Sequence, residues 1–109
     1  MKLVIIESPY AGDIARNIQY ARACVADSLR RGESPIASHL LYTLPGILDD
    51  ADPAQRVLGI SAGLAWRKCA DCTVFYIDLG WSPGMQSALA LAESEGRPFA
   101  RRVLAGWRA

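Results

Sequence analysis

The chain is predicted to be an α/β domain, a Rossmann-like or flavodoxin-like three-layer sandwich around a parallel sheet of four strands, or five. Three observations lead there. Short β-branched-rich runs alternate with longer stretches of helical periodicity, in the order βαβαβαβ. The first run, Leu3-Val4-Ile5-Ile6, is apolar without interruption, as in strands covered on both faces. Parallel strands need long crossovers, almost always right-handed, and the helical stretches supply them.

The elements follow in order. After the first strand, Ser8-Pro9-Tyr10-Ala11-Gly12-Asp13 is a cluster of turn formers, with Asp13 placed to cap a helix. Residues 14–31 then carry Ile14, Ile18, Ala21, Val25 and Leu29 at three- and four-residue steps, which predicts the buried stripe of a helix. Arg30-Arg31 complements the negative end of its dipole, and Gly32 stops it. Pro35-Ile36-Ala37 reads as the second strand, and residues 38–46 as a long connection with one helical turn. Asp52-Pro53-Ala54-Gln55 combines a capping aspartate, a proline at the first helical position and a glutamine three residues beyond the cap. That helix carries Val57, Leu58, Ile60, Ser61, Leu64 and Ala65 and ends near Cys69. Thr73-Val74-Phe75-Tyr76-Ile77 is the clearest strand. Ser82-Pro83 starts a third long helix through Met85, Leu89, Leu91 and Ala92, stopped by Gly96. Pro98-Phe99-Ala100 with Val103-Leu104 gives a weak last strand.

With 109 residues the chain forms one domain, residues 1–109, and can bury a core without a disulfide or metal staple. Twelve Lys+Arg against eleven Asp+Glu leave a net charge of +1, so there is no strong nucleic-acid signal. No apolar run approaches the ~20 residues of a membrane span. The N-terminus lacks the apolar region and cleavage site of a signal peptide. Three cysteines, an odd number, do not suggest a disulfide framework, and the expected location is cytoplasmic.

In open parallel sheets a ligand binds beyond the carboxyl ends of the strands, where the strand order reverses. With the order 2-1-3-4 that point lies between the first and third strands. The loops leaving them, residues 8–13 and 78–84, are the richest in Gly, Pro, Ser and Asp, and each opens a helix whose free N–H groups favour an anion. Taken singly, either loop reads as turn chemistry; their coincidence at the crevice predicts a site. The sole histidine, His39, falls on the same side. GxxxxGK[ST], GxGxxG and GxSxG are all missing. Cys69-Ala70-Asp71-Cys72 has the C-x-x-C spacing but follows a helix instead of opening one, which argues against a redox role. Zinc would want about four ligands, more than the neighbouring residues supply. No metal and no cofactor is implied.

Ser8-Pro9-Tyr10, Asn17, Pro35-Ile36-Ala37-Ser38-His39-Leu40, Asp49-Asp50, Asp52-Pro53, Arg56-Val57-Leu58-Gly59, Cys69-Ala70-Asp71 and Ser82-Pro83-Gly84-Met85 occur in that order. Together they resemble a family of small uncharacterised bacterial and phage domains related to nucleoside 2-deoxyribosyltransferases, over nearly the whole chain. The resemblance implies a Rossmann-like fold, a nucleoside or nucleotide ligand, and a homo-oligomer in which a neighbouring subunit helps to close the site. True transferases exchange the base of a 2′-deoxynucleoside through a covalent deoxyribosyl-enzyme, using a glutamate one helical turn beyond a Gly-Thr-like pair. Here Gly84-Met85 matches the pair, and the matching position, four residues after Gly84, is Ala88, which cannot attack anything. Glu93 lies ~7 Å further along the axis and about 140° off that face, and Glu95 is near the helix end, so neither replaces it.

The remaining candidates are assigned accordingly. Glu7 and Asp78, each after a strand, are the carboxylates placed to do glycosidic chemistry. Ser8, Pro9, Tyr10, Gly12, Asn17 and His39 form one wall of the expected binding site; Trp81, Ser82, Gly84 and Met85 form the other. The helix start at Ser82 suits a 5′-phosphate, and Tyr10 and Trp81 can stack on a base, although Trp81 equally suits packing over the sheet edge. Three functions compete: nucleoside or nucleotide binding; N-glycosidic transfer or hydrolysis using Glu7 or Asp78; and a non-catalytic interaction or nucleotide-sequestering module. Trp66, Trp81 and Trp107 suit an oligomer interface, and Arg97, Arg101, Arg102 and Arg108 read as a solvated charged edge.

Overall fold

Four short strands form one all-parallel sheet in the order β2-β1-β3-β4. They are β1 (Leu3–Glu7), β2 (Ser34–Ile36), β3 (Cys72–Tyr76) and β4 (Phe99–Arg102) in a computed structural model that describes residues 1–107. The expected order is therefore the observed one, with four strands and no fifth among the described residues. The crossovers are α1 (Ile14–Arg30), α2 (Ser38–Leu41), α3 (Pro53–Ala65), which runs into a 3-10 turn (Trp66–Lys68), and α4 (Pro83–Glu95).

The expected caps are in place. Asp13 accepts from the Arg16 N–H, Asp52 from Ala54 N–H and the Gln55 side chain, and Ser82 from Met85 N–H. Gly96 ends α4 with φ +64°, a left-handed conformation that glycine adopts without a steric penalty.

Strand alternation divides the core into two layers. Val4 and Ile6 of β1 and Val74 and Tyr76 of β3 face α1, where they pack on Tyr20 and Cys24. Phe75 points the opposite way, onto Met85 and Ala88 of α4 and Leu64 of α3. Because β1 and β3 pair Ile5 with Thr73 and Glu7 with Phe75, odd-numbered residues of both strands share the α3/α4 face. Glu7 consequently lies on that face, and Asp78, two residues beyond Tyr76, continues the α1 face.

The buried stripe of α1 differs from the one its aliphatic residues predict. Asn17, Tyr20, Ala21, Cys24 and Ser28 are buried, whereas Ile14 and Leu29 are 44% and 53% exposed. The helix is rotated because its polar residues find partners inside. Tyr20 bonds to Asp78, Ser28 to Glu33, and Asn17 to the carbonyls of Tyr10 and Ala11. Among the residues of α3, only Gly63 is fully buried; Val57, Leu58 and Ile60 stand more than half exposed.

The tryptophans split. Trp107 packs edge-on against Tyr20 at 5.0 Å and Trp81 lies 5.1 Å from Phe75, while Trp66 remains 42% exposed. The C-terminal arginines are mostly engaged. Arg102 forks onto Glu33 at 2.9 and 3.1 Å, Arg97 meets Glu95, and Arg101 stacks over Trp81 and Phe99. Arg108 lies outside the described residues.

Candidate functional site

A cavity of about 330 Å³ opens at the carboxyl ends of β1 and β2, between α2, α3 and the first turn of α4. Its volume lies within the range of small-molecule sites. Three local features build it. The chain after β1 turns away at Ser8, placing Glu7, Ser8 and Tyr10 on one wall. Extending the β1–β2 register brings His39 opposite Ser8, and Ser8 Oγ and His39 Nε2 are hydrogen bonded at 2.8 Å. Ser82, Gly84 and Met85 at the start of α4 form the opposing wall, with Ala88 one turn further in.

The floor depends on a close approach. A Cβ on Gly63 of α3 would collide with the Ser38 side chain of α2, so only glycine lets the two helices meet there. The mouth is polar: Arg56 stands 4.0 Å from Asp50, a loose pair on an exposed rim. Gln55 beside it is already occupied, accepting from Asp49 N–H and donating to Asp52.

Glu7 is the unusual group. Its carboxyl accepts no hydrogen bond and meets no cation among the described residues, although it borders the cavity. Burial alone pushes it up to about 7. Burial likewise pushes His39 down to about 4, so its imidazole is neutral at neutral pH.

The expected site residues thus fall into two groups. Glu7, Ser8, Tyr10, His39, Ser82, Gly84 and Met85 meet around the cavity. Asp78, Asn17, Pro9, Gly12 and Trp81 do not line it. Both Asp78 carboxylate oxygens accept from Leu104 N–H at 3.1 and 3.0 Å, and the Tyr20 hydroxyl donates to Asp78 while accepting from its N–H at 2.9 Å. Those bonds fasten the end of β3 to α1 and the C-terminal segment. Asn17 is buried and braces the loop after β1 from below, donating to Tyr10 and Ala11 carbonyls at 2.9 and 3.0 Å. Gly12 borders a shallow outer groove that shares Tyr10, Asp50 and Arg56 with the cavity. Trp81 is committed to Phe75 and Arg101, the packing alternative for that residue.

The sequence reading left out the wall formed by Tyr42, Thr43, Gln55, Arg56, Gly59 and Gly63. The length of the connection between the second strand and the Asp52 cap was the available signal, because a chain that long has to lie over something.

The four-stranded parallel α/β fold matches the nucleoside deoxyribosyltransferase-like fold. A 2-deoxyribosyltransferase from Bacillus psychrosaccharolyticus superposes with a TM-score of 0.65 at 18% identity, covering 98% of this chain and 76% of that one. The CMP N-glycosidase BcmB of Clostridium botulinum gives 0.51 at 14% identity, covering 96% of this chain and 71% of the other. At such identities the likeness is one of fold. By sequence the chain belongs to the family described as a domain of unknown function, DUF7768, whose model matches residues 2–102. No curated protein matches it.

Proposed function

We propose that the chain binds a nucleoside or nucleotide in the cavity between β1, α2, α3 and α4. One observation carries this reading. The loop after β1, the start of α2 and the first turn of α4 converge on one cavity at the carboxyl edge of a parallel sheet, in a fold shared with a deoxyribosyltransferase and a CMP N-glycosidase. The hydroxyls of Ser8 and Tyr10 and the imidazole of His39 suit a sugar and a base. The Gly84 N–H, next to the capped Met85 N–H, suits a 5′-phosphate. Chemistry at the N-glycosidic bond falls to Glu7, since Asp78 does not line the cavity and is bonded to Leu104 and Tyr20.

The protein is proposed to act in the cytoplasm as a homo-oligomer. Three free cysteines support the first point. The exposed Val57, Leu58 and Ile60 on α3 support the second, Ile60 being also a cavity residue. No helix among the described residues is long and apolar enough to cross a membrane.

A thermal-shift panel of ribonucleosides, deoxynucleosides, their 5′-phosphates and ADP-ribose tests the reading. A shift selective for one group is expected. Gly84→Trp, whose side chain enters the cavity where a Cβ meets only Ser82 at 3.9 Å, should abolish that shift without unfolding the protein. Unchanged affinity in this variant would remove α4 from the site.

A further inference from the structure

A carboxyl that is partly withdrawn from solvent, lines a cavity and has no hydrogen-bond or ionic partner in the protein is free to engage a ligand or a water. Glu7 is such a group, and its surroundings suggest a water. A second, smaller void of about 20 Å³ adjoins the main cavity and shares Glu7, Gly63, Leu64 and Ala88 with it. That is enough for one water molecule. The other charged groups on the void are Arg67 and Arg97, and both are paired with Glu95. Ala88 of α4 lines the void. An unpartnered carboxyl on β1 and the short Ala88 side chain of α4 therefore border one water-sized space.

We propose that Glu7 is the general base for hydrolysis of an N-glycosidic bond, activating a water lodged between its carboxylate and Ala88, so that the acceptor of the glycosyl group is water and not a second base. This rests on the reading that a nucleoside or nucleotide occupies the larger cavity. In the step, the ionised Glu7 carboxylate takes a proton from the water as the water oxygen bonds to C1′. The C1′–N bond breaks and its electron pair passes to the base nitrogen. That nitrogen takes up a proton from solvent, and Glu7 returns its own to solvent. Alanine at position 88 leaves no carboxylate there to form a glycosyl-enzyme. A base with a raised pKa near neutrality is well matched to the task.

The test uses the full chain with nucleosides, 2′-deoxynucleosides and their 5′-monophosphates, in heavy-oxygen water and with a competing free base. Release of the base, heavy oxygen at C1′ and no exchange into the competing base are expected. Glu7→Gln should lower kcat by about 10²- to 10⁴-fold with ligand affinity nearly unchanged, and Glu7→Asp should retain part of the rate. The rate should rise with pH through about 7, where Glu7 ionises. Binding without base release, base exchange in place of hydrolysis, or full turnover by Glu7→Gln would each overturn the assignment while leaving the binding site intact. Failure of the wild-type chain to bind any of these compounds would overturn the cavity reading as well.

Discussion

Glu7 ends β1 and Asp78 lies just beyond β3, at the same edge of the sheet, yet their surroundings are opposite. Asp78 is engaged within the fold: the Leu104 N–H bonds both its oxygens and the Tyr20 hydroxyl donates to one of them. Glu7 has no protein partner and faces a cavity. One layer further from the site, the α1 face continues the Asp78 pattern. The Tyr76 hydroxyl donates to Asp27 at 2.8 Å and accepts from Arg102 at 2.9 Å, while Arg102 and Ser28 hold Glu33. The polar groups of the α1 side are bonded to one another, whereas Glu7 on the α3/α4 side has no such partner. A carboxylate already tied to two protein donors has less to offer a ligand than one with none.

Four substitutions and titrations separate the two sides. The largest effect is expected from Asp78→Ala, which leaves the Leu104 N–H and Tyr20 hydroxyl without their acceptor. A loss of about 4 kcal/mol in urea denaturation is expected, with ligand affinity retained below the lowered midpoint. If stability held and binding vanished, Asp78 would belong to the site after all.

Next comes Glu7→Gln, with the opposite sign. Burial raises Glu7 from 4.5 to about 7, so the folded state holds its proton more tightly than the unfolded chain does. The ionised group then costs stability increasingly as pH rises from its unfolded value through 7. Removing the charge should stabilise the protein by up to about 3 kcal/mol at pH 8 and by almost nothing near pH 4. A variant destabilised at every pH would mean that Glu7 has a hidden partner.

The smallest expected change is in Glu33→Gln. The bond from Arg102 holds the Glu33 carboxyl below its ordinary value, so its contribution is present at neutral pH and is lost as the pH falls through the lowered value. About 1 kcal/mol should disappear at pH 7 in a chemical melt, and the difference from wild type should narrow in acid. Equal stability at pH 7 would reduce this network to surface decoration.

His39 offers a further check on the site side. Its imidazole is held neutral by burial down to about 4, so its folded form resists protonation. As pH falls below the unfolded value near 6.5, wild-type stability should decline, and His39→Gln should flatten that decline. A melting curve with the same acid slope in both proteins would place His39 in water.

Much of this was legible locally. Each long helix starts at the cap its sequence announces, since an aspartate or serine one residue before the helix satisfies N–H groups only its neighbours expose. The parallel sheet followed from alternating elements with long crossovers, and the site edge from the order 2-1-3-4, which was assumed and is the one observed. Reading Ser8, His39 and Gly84 as neighbours needed nothing more than that topology. The choice between Glu7 and Asp78 was not legible in the same way. In a sheet covered on both faces, apolar residues occupy odd and even positions alike, so alternation carries no label for which face holds the cavity.

The sequence by itself determined the number and kind of the main elements, the starts of the long helices and the parallel sheet, because those depend on short-range capping, periodicity and chain connection, while the strand ends fell within one or two residues of expectation. Tertiary structure alone decided the rest. It turned Tyr20 and Ser28 of α1 inward in place of Ile14 and Leu29, let Ser38 meet Gly63, and left Glu7 without a partner beside Ala88. Each of these outcomes depends on groups distant in the chain being satisfied, or left unsatisfied, by one another, and no local pattern encodes that.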